Sequence, residues 1–275
     1  MSDLTRDLEK LNTMTKYPSI PTYHDILGGD GKGRLLDTHL DIQGPVIATE
    51  KVDGTNGRIL LFGGDFLLGT REEFVYAKGD RIGSPAEGVM VALKPVAERI
   101  CTEIGEGFLA VIFGEVYGRG IGARGQNYAS GGPAGFRVFD IMLMTEAAAL
   151  EELTYDRAQI SGWRQHGHQP FLRAATLDGW VFDLDLQKVP HLTVTDAANL
   201  PDSHGAMLEW LKQTTPATRC ALDDAAQGRS EGVVVRSADR QHIAKIRFED
   251  YERTLRPCRA CGMVHAPGAN ALCSR

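Results

Sequence analysis

The residue best suited to take part in a reaction is Lys51, in the run E-K-V-D-G-T-N-G at residues 50–57. A free lysine amine has a pKa of about 10.4 and is almost fully protonated at neutral pH. It becomes a nucleophile where neighbouring cations or a desolvated pocket lower that pKa. Taken alone, Lys-x-Asp-Gly equally describes a strand that runs into a tight turn, so other segments must decide between the two interpretations.

A second set of charged residues occurs near the end of the chain. Lys245 and Arg247 are two positions apart in an apolar segment, and a strand would present both on one face. Two cations on one face can neutralise a phosphate together, and their charge favours a neutral amine nearby. An exposed edge strand is the alternative. The carboxylates of Glu115 and Glu231 fit such a site if they bind Mg²⁺ or a sugar hydroxyl.

The elements that would position these residues follow from the hydrophobic pattern. It predicts strands over residues 46–52, 57–62, 66–69, 108–116, 136–142, 231–236 and 243–248. It predicts helices over residues 2–14, 85–104, 156–165 and 203–212, with a loop over 27–34. Strands dominate and the helices pack outside them, so the expected class is α+β with largely antiparallel sheets.

Composition is that of an ordinary globular protein. The chain has 275 residues, 43% of them hydrophobic and 24% charged, which is enough for a sizeable core. No apolar run approaches the roughly 20 residues of a membrane span, and no secretory signal pattern opens the chain. The five cysteines are an odd number and do not indicate a disulfide framework. These features predict a cytoplasmic protein without membrane contact.

Charge is distributed unevenly along the chain. The net charge is −6, yet residues 251–275 carry four arginines against one glutamate, so residues 1–250 sum to −9. Nucleic-acid enzymes usually need basic surface for phosphate contacts. Any polynucleotide contact should therefore be local, through the tail and through loop residues such as Arg119 and Arg124. Simple solvation of these arginines is the alternative.

Further short segments accompany Lys51 in a fixed order: G-T-R at residues 69–71, F-G-E-V-Y-G at 113–118, F-R-V-F-D-I at 136–141, E-G-V-V-V-R at 231–236 and A-K-I-R at 244–247. Together, over about residues 17–247, they resemble the covalent nucleotidyltransferases, the superfamily of polynucleotide ligases and mRNA-capping enzymes. Thr55 and Asn56 make the chain most similar to the RNA ligase 2-type branch. Asp53 departs from the histidine often found there and leaves placement within the superfamily open.

The resemblance implies a nucleotidyltransferase fold, an ATP-grasp-like ligase adenylation domain over residues 1–250 in which antiparallel sheets flank a nucleotide cleft. It implies an ATP-dependent RNA ligase that joins 5′-phosphate and 3′-hydroxyl ends through a lysine–AMP intermediate, with Mg²⁺ on Glu231. The implied catalytic residues are Lys51, Glu231, Lys245 and Arg247. The implied nucleotide-binding residues are Glu50, Asp53, Asn56, Arg71, Glu115 and Phe139, with Phe139 stacked on adenine.

The tail over residues 251–275 departs from the family, whose members continue into an OB fold or a helical domain. It contains Cys258, Cys261, His265 and Cys273, which together could form a tetrahedral zinc site. A frayed tail with inert thiols is the alternative. The expected nucleic-acid partner is RNA, as free ends or a nicked duplex. A protein partner could take the place of the C-terminal domain that relatives use to bind it.

Two other functions stay open from the sequence. A DNA ligase or a capping guanylyltransferase would use the same lysine. A nucleic-acid-binding module with an inactive site belongs to a different class of protein, although the intact Lys51, Glu231 and Lys245 argue against it.

Overall fold

The computed structural model describes residues 3–28, 33–82, 87–226, 228–257 and 264. The chain divides into two compact units. The first comprises Met1–Ser19, Asp53–Val189 and Ala221–Ala226, and the second comprises Ile20–Val52, Pro190–Cys220 and Gln227–Arg275. The expected zinc ligands Cys258, Cys261, His265 and Cys273 lie outside the described residues.

The strands of the described residues are β1 (His24–Ile26), β2 (Leu35–His39), β3 (Pro45–Lys51), β4 (Thr55–Phe62), β5 (Asp65–Thr70), β6 (Phe74–Ala77), β7 (Asp80–Arg81), β8 (Phe108–Tyr117), β9 (Gly135–Thr145), β10 (His191–Asp196), β11 (Gly232–Ser237) and β12 (Ile243–Arg247). The α-helices are α1 (Leu8–Met14), α2 (Glu87–Ile100), α3 (Glu146–Glu152), α4 (Arg157–Gln165), α5 (Ala174–Asp183), α6 (His204–Thr214) and α7 (Phe248–Thr254).

The first unit is built on an antiparallel sheet with strand order β7-β6-β5-β4-β8-β9. Alternation along β4 sends Ile59 and Leu61 to one face, where they pack with apolar residues of α2 and α5. Leu60 and Phe62 point to the other face and pack with residues of α1, α3 and α4. Both faces of this sheet are therefore covered by helices along most of its length.

The second unit is built on an antiparallel sheet with strand order β10-β3-β11-β12, accompanied by the β1-β2 hairpin. One face of the sheet is apolar and packs against α6, α7 and the hairpin. The residues of that face include Val46, Ala48, Val233, Val235, Ala244 and Ile246. Because side chains alternate along a strand, Lys51, Lys245 and Arg247 lie on the opposite face.

The structure confirms the predicted mixed class with antiparallel sheets, and every strand predicted from the pattern is present. The N-terminal helix prediction was wrong in extent. A 3₁₀ turn covers Asp3–Thr5, and Asp7 then caps a separate α1 by accepting from Lys10 N at 3.0 Å. The helix predicted to reach residue 104 ends at Ile100.

Several elements had not been predicted. They are the strands β1, β2, β6, β7 and β10 and the helices α3, α5 and α7. No helix of the described ranges combines the length and the apolar character needed to cross a bilayer.

Candidate active site

Lys51 is the last residue of β3, and the main chain of the sheet fixes its surroundings. The backbone N–H of Glu231 donates to the Lys51 carbonyl at 3.0 Å, and Phe248 N donates to the Glu231 carbonyl at 3.1 Å. In the sheet register, Gly232 is opposite Lys51 on one side and Arg247 on the other. The nucleophile candidate, the acid and one cation are therefore held together by three neighbouring strands.

The side chains of these residues form a charge cluster. The Lys51 ammonium makes an ion pair with Glu231 Oε2, and Arg247 Nη1 lies 3.8 Å from Glu231 Oε1. All three side chains are mostly buried but keep some solvent exposure. Glu231 thus lies between two cations, each on its own carboxylate oxygen.

Lys245 extends the cluster along the same face. It is opposite Val234, which in turn is opposite Thr49, two residues before Lys51. Burial lowers the pKa of Lys245, and the positive charges of Arg247 and Lys51 lower it further. The predicted alternation of Lys245 and Arg247 is confirmed by β12, which presents both on the face that carries Lys51.

Gly232 allows β11 and β12 to approach each other closely. A Cβ atom at this position would lie 2.1 Å from the Ile246 carbonyl oxygen and 2.8 Å from Arg247 Cα. Side chains are therefore excluded where β11 separates Lys51 from Arg247, because the contacting atoms belong to the backbone of β12.

Glu50 lies on the other face of the sheet from Lys51. It is opposite Val233, a core residue, and is itself buried. Its carboxylate accepts hydrogen bonds from the Thr218 hydroxyl and from Arg219 N, the latter at 2.7 Å. The structure thus joins the Glu50 side chain to the segment before Cys220 rather than to the Lys51 cluster.

The first unit brings Asn56 and Glu115 together at one end of its sheet. They are directly opposite each other on β4 and β8. Glu115 Oε1 accepts from Gly54 N at 3.1 Å, which ties the turn after Lys51 to β8. Gly54 has no room for a side chain, because a Cβ would lie 2.2 Å from the Val116 carbonyl oxygen. Asn56 Oδ1 is buried and has no hydrogen-bond partner among the described residues.

Phe139 occupies an irregularity of β9. Phe113 pairs with Asp140 and Gly114 pairs with Val138, so Phe139 is the extra residue of a β-bulge. Bulges often re-aim a side chain beside a functional site. The ring of Tyr17 meets the Phe139 ring edge-on at 4.9 Å between centroids, and the Tyr17 hydroxyl donates to Asp140 Oδ2 at 2.9 Å.

Arg71 and Asp53 are the remaining predicted site residues. Arg71 follows β5, is exposed, and donates through Nη2 to the Ser19 hydroxyl at 3.0 Å. Asp53 N donates to the Tyr128 hydroxyl at 2.7 Å, and the Asp53 carboxylate lies 3.7 Å from Arg124 Nη1. Arg124, expected to contact a polynucleotide, therefore has an internal carboxylate beside it.

Arg137 is a further candidate site residue, which the sequence analysis did not single out. It lies opposite Glu115 in the register of β8 and β9. Its guanidinium donates to the Tyr117 hydroxyl at 3.2 Å and to the Lys188 carbonyl at 3.3 Å. The available signal was its place within the F-R-V-F-D-I segment, two residues before Phe139.

No cluster of three or more His, Cys, Asp or Glu side chains suited to a metal ion occurs within the described ranges. Mg²⁺ is usually held by one or two carboxylates together with substrate phosphates and waters. Glu231, between Lys51 and Arg247 in the charge cluster, is a carboxylate that could hold such an ion. The cations around it would bind the phosphates that complete such a coordination sphere.

A model of the RNA ligase family matches residues 44–247. The chain belongs to the RNA ligase family. The match extends from the start of β3 to the last residue of β12, and so includes every predicted catalytic residue. No sequence among curated proteins matches at a significant level.

Solved structures of Naegleria gruberi RNA ligase have a similar fold. An apo variant superposes with a TM-score of 0.53 at 14% identity, covering 88% of this chain and 61% of that protein. A variant with ATP and Mn gives 0.54 at 13% identity, covering 88% and 62%. The ligase with PPi gives 0.51 at 14%, covering 86% and 63%. This chain thus spans only about three fifths of the length of these proteins.

Proposed function

We propose that this chain is an ATP-dependent RNA ligase that uses Lys51 as its nucleophile. The observation that supports this proposal most strongly is the cluster of Lys51, Glu231, Lys245 and Arg247 on one sheet face. A lone surface lysine would need none of these neighbours. Phosphoryl transfer, by contrast, needs a positioned nucleophile and cations near the charge that develops on phosphate oxygens.

In the first step, the Lys51 amine loses its proton to solvent and attacks the α-phosphorus of ATP. A nitrogen–phosphorus bond forms, and the bond from that phosphorus to the bridging oxygen of pyrophosphate breaks. Pyrophosphate leaves, and AMP stays on Lys51 as a phosphoramidate. Because the cations already lie on the face that carries Lys51, they need little rearrangement to meet the phosphate.

Lys245 and Arg247 would bind the non-bridging oxygens of the α-phosphate. An arginine offers a fixed fork of donors, whereas lysine acts as a point charge. Glu231 would orient the Lys51 ammonium before reaction and hold Mg²⁺. The metal, when bound, supplies neutralisation of phosphate charge.

Four of the predicted nucleotide-binding residues retain their roles as proposals. The face of Phe139 suits stacking on adenine, since base–aromatic stacking contributes about 1–3 kcal/mol. The buried Oδ1 of Asn56 needs a hydrogen-bond donor, which bound nucleotide or an ordered water would supply. Glu115, the neighbour of Asn56, would accept from a ribose hydroxyl. Arg71 would bind a phosphate or the incoming 5′ end.

Asp53 and Glu50 would act indirectly. Asp53 would fix the turn after the nucleophile through Tyr128 and Arg124. Glu50 would order the segment of Thr218 and Arg219 that its carboxylate binds.

Two further transfers complete the proposed reaction. An oxygen of the RNA 5′-phosphate attacks the AMP phosphorus, a phosphoanhydride forms, and the amine of Lys51 leaves and regains a proton. The RNA 3′-hydroxyl then attacks the 5′-phosphate, loses its proton to solvent, and forms a phosphodiester as AMP departs. These steps seal 5′-phosphate and 3′-hydroxyl ends.

We propose residues 1–250 as the adenylation domain and residues 251–275 as an RNA-binding extension with a zinc site. Helix α7 includes residue 250 and ends at Thr254, whose hydroxyl accepts a hydrogen bond from Leu35 N at 2.9 Å. Cutting the chain at residue 250 would remove most of this helix. A truncation that tests the extension should therefore start after Pro257. A protein partner that binds RNA together with this chain would then increase sealing by the intact chain.

The proposed activity is tested by offering nicked RNA and nicked DNA of one sequence with labelled ATP, GTP or NAD. We expect label on the protein from ATP alone, and sealing of RNA in preference to DNA. Label from GTP would identify a capping-type enzyme, and preferential sealing of DNA would identify a DNA ligase. Neither label nor sealing would indicate a nucleic-acid-binding module.

A further inference from the structure

Asp250 is a buried carboxylate in the first turn of α7, three residues after Arg247. It accepts two hydrogen bonds from that arginine, from Nε at 2.7 Å to Oδ2 and from Nη2 at 3.0 Å to Oδ1. This is the parallel, two-bond geometry of a guanidinium–carboxylate pair, which fixes orientation as well as distance.

A second arginine, Arg253, also binds the Asp250 carboxylate. Arg253 Nη2 donates to Asp250 Oδ1 at 2.7 Å, and Arg253 Nε donates to the Gly33 carbonyl at 3.0 Å. The Asp250 carbonyl also accepts from the Thr254 hydroxyl at 2.8 Å. The carboxylate is therefore immobilised by its own helix and by the segment before β2, independently of Arg247.

The orientation of the pair determines which end of Arg247 reaches the site. Nε and Nη2 are engaged by Asp250, and Nη1, the other terminal nitrogen, lies 3.8 Å from Glu231 Oε1. Rotation of the guanidinium would break the paired bonds to Asp250. The position of Nη1 beside Glu231 thus depends on a carboxylate outside the matched family segment, which ends at residue 247.

Helix capping alone does not explain this arrangement. The helix dipole favours an acidic residue in the first turn of a helix, and exposed Glu249 already has such a place. Burying a carboxylate between arginines incurs a desolvation cost that often offsets the ion-pair attraction. The geometry that this pair provides is therefore the better explanation of its burial.

We propose that Asp250 is a positioning residue for nucleotidyl transfer, which fixes the guanidinium of Arg247 so that Nη1 faces Glu231 and the phosphate attacked by Lys51. This inference rests on the proposed function. It predicts that Asp250 affects adenylation only through Arg247.

A double-mutant cycle of single-turnover adenylation at saturating ATP tests this dependence. We expect Asp250→Asn to lower the rate about tenfold to hundredfold, since displacement of a catalytic group by about 1 Å can have an effect of that size. In an Arg247→Ala background, the same change should alter the rate by less than about twofold. The matched control is Glu252→Gln, which removes another α7 carboxylate, bonded to Arg229 at 2.7 Å, and should leave the rate near wild type.

Equal losses in both backgrounds would overturn the inference, as would a normal rate for Asp250→Asn. The NMR signal of the Arg247 Nε–H gives a readout independent of activity, and the backbone amide signals of the same sample report whether each variant is folded. It should be resolved and slow to exchange in the wild-type protein and in Glu252→Gln, and should be lost in Asp250→Asn. If the wild-type protein forms no AMP adduct, the proposed function fails, while this signal still reports whether Asp250 holds Arg247.

Discussion

Replacement of Gly232 by alanine should slow catalysis strongly in a protein that remains folded. The new methyl group would lie 2.1 Å from the Ile246 carbonyl oxygen, whereas ordinary contacts begin at 3.4 Å. Strand β12 must therefore move by more than about 1 Å relative to β11, and Arg247 moves with it. A misplacement of about 1 Å at a reacting group can reduce a rate about a hundredfold.

The protein should nevertheless stay folded, because overpacking by one methyl group typically costs about 1–3 kcal/mol, whereas native proteins are usually stable by about 5–15 kcal/mol. The assay is single-turnover transfer of AMP to the protein, measured by intact mass, beside urea unfolding of the same preparation. We expect a loss of about a hundredfold in the adenylation rate from a protein that remains folded.

Gly205→Ala is the matched control. Its Cβ would have no neighbour within 4 Å, and alanine is favoured over glycine in a helix such as α6. This variant should keep the wild-type rate. If Gly232→Ala adenylates as fast as Gly205→Ala, the close approach of β11 and β12 does not organise the site, and the geometric reasoning fails.

Three further predictions concern binding, pH and the tail. Phe139→Ala should raise the KM for ATP about tenfold with little change in the rate at saturating ATP. The control Phe182→Ala, which removes an exposed ring, should leave the KM unchanged. Equal effects of the two variants on KM would refute stacking. Burial and neighbouring positive charges lower the pKa of Lys245 from its usual 10.5. As the pH rises, the ammonium therefore loses its proton earlier than that of a free lysine. Adenylation should decline as the pH rises through that lowered pKa, and Lys245→Arg should remove the decline; an unchanged profile would contradict the role. A chain that ends at Pro257 should adenylate Lys51 normally, lose about one zinc per chain and seal RNA poorly with a weaker salt dependence. Full sealing by this chain, with no zinc in the intact protein, would exclude the proposed extension.

The sequence was sufficient for features that depend on local alternation. The spacing of Lys245 and Arg247 predicted their shared face because side chains two apart on a strand point the same way. The same rule separates Glu50 from Lys51, yet the family pattern assigned both to the nucleotide. In the structure the Glu50 carboxylate accepts from Thr218 and Arg219, and its expected contact with the nucleotide stays a prediction.

Other features depend on contacts between distant segments and could not be derived from the pattern. The pairing of Asn56 with Glu115 requires the register between β4 and β8. The bulge that carries Phe139 is a register shift without a local sequence signal. Helix α7 was missed because its short charged sequence resembled the tail, and the burial of Asp250 becomes evident only with its two arginines in place.

The central claim is that Lys51 becomes covalently linked to AMP. The direct measurement is the intact mass of the wild-type protein and of Lys51→Ala after incubation with ATP and Mg²⁺, followed by peptide mapping. We expect the wild-type protein to gain the mass of one AMP on the peptide that contains Lys51, and Lys51→Ala to gain nothing. An AMP adduct on the alanine variant, or on a different residue of the wild-type protein, would contradict the assignment of Lys51 as the nucleophile.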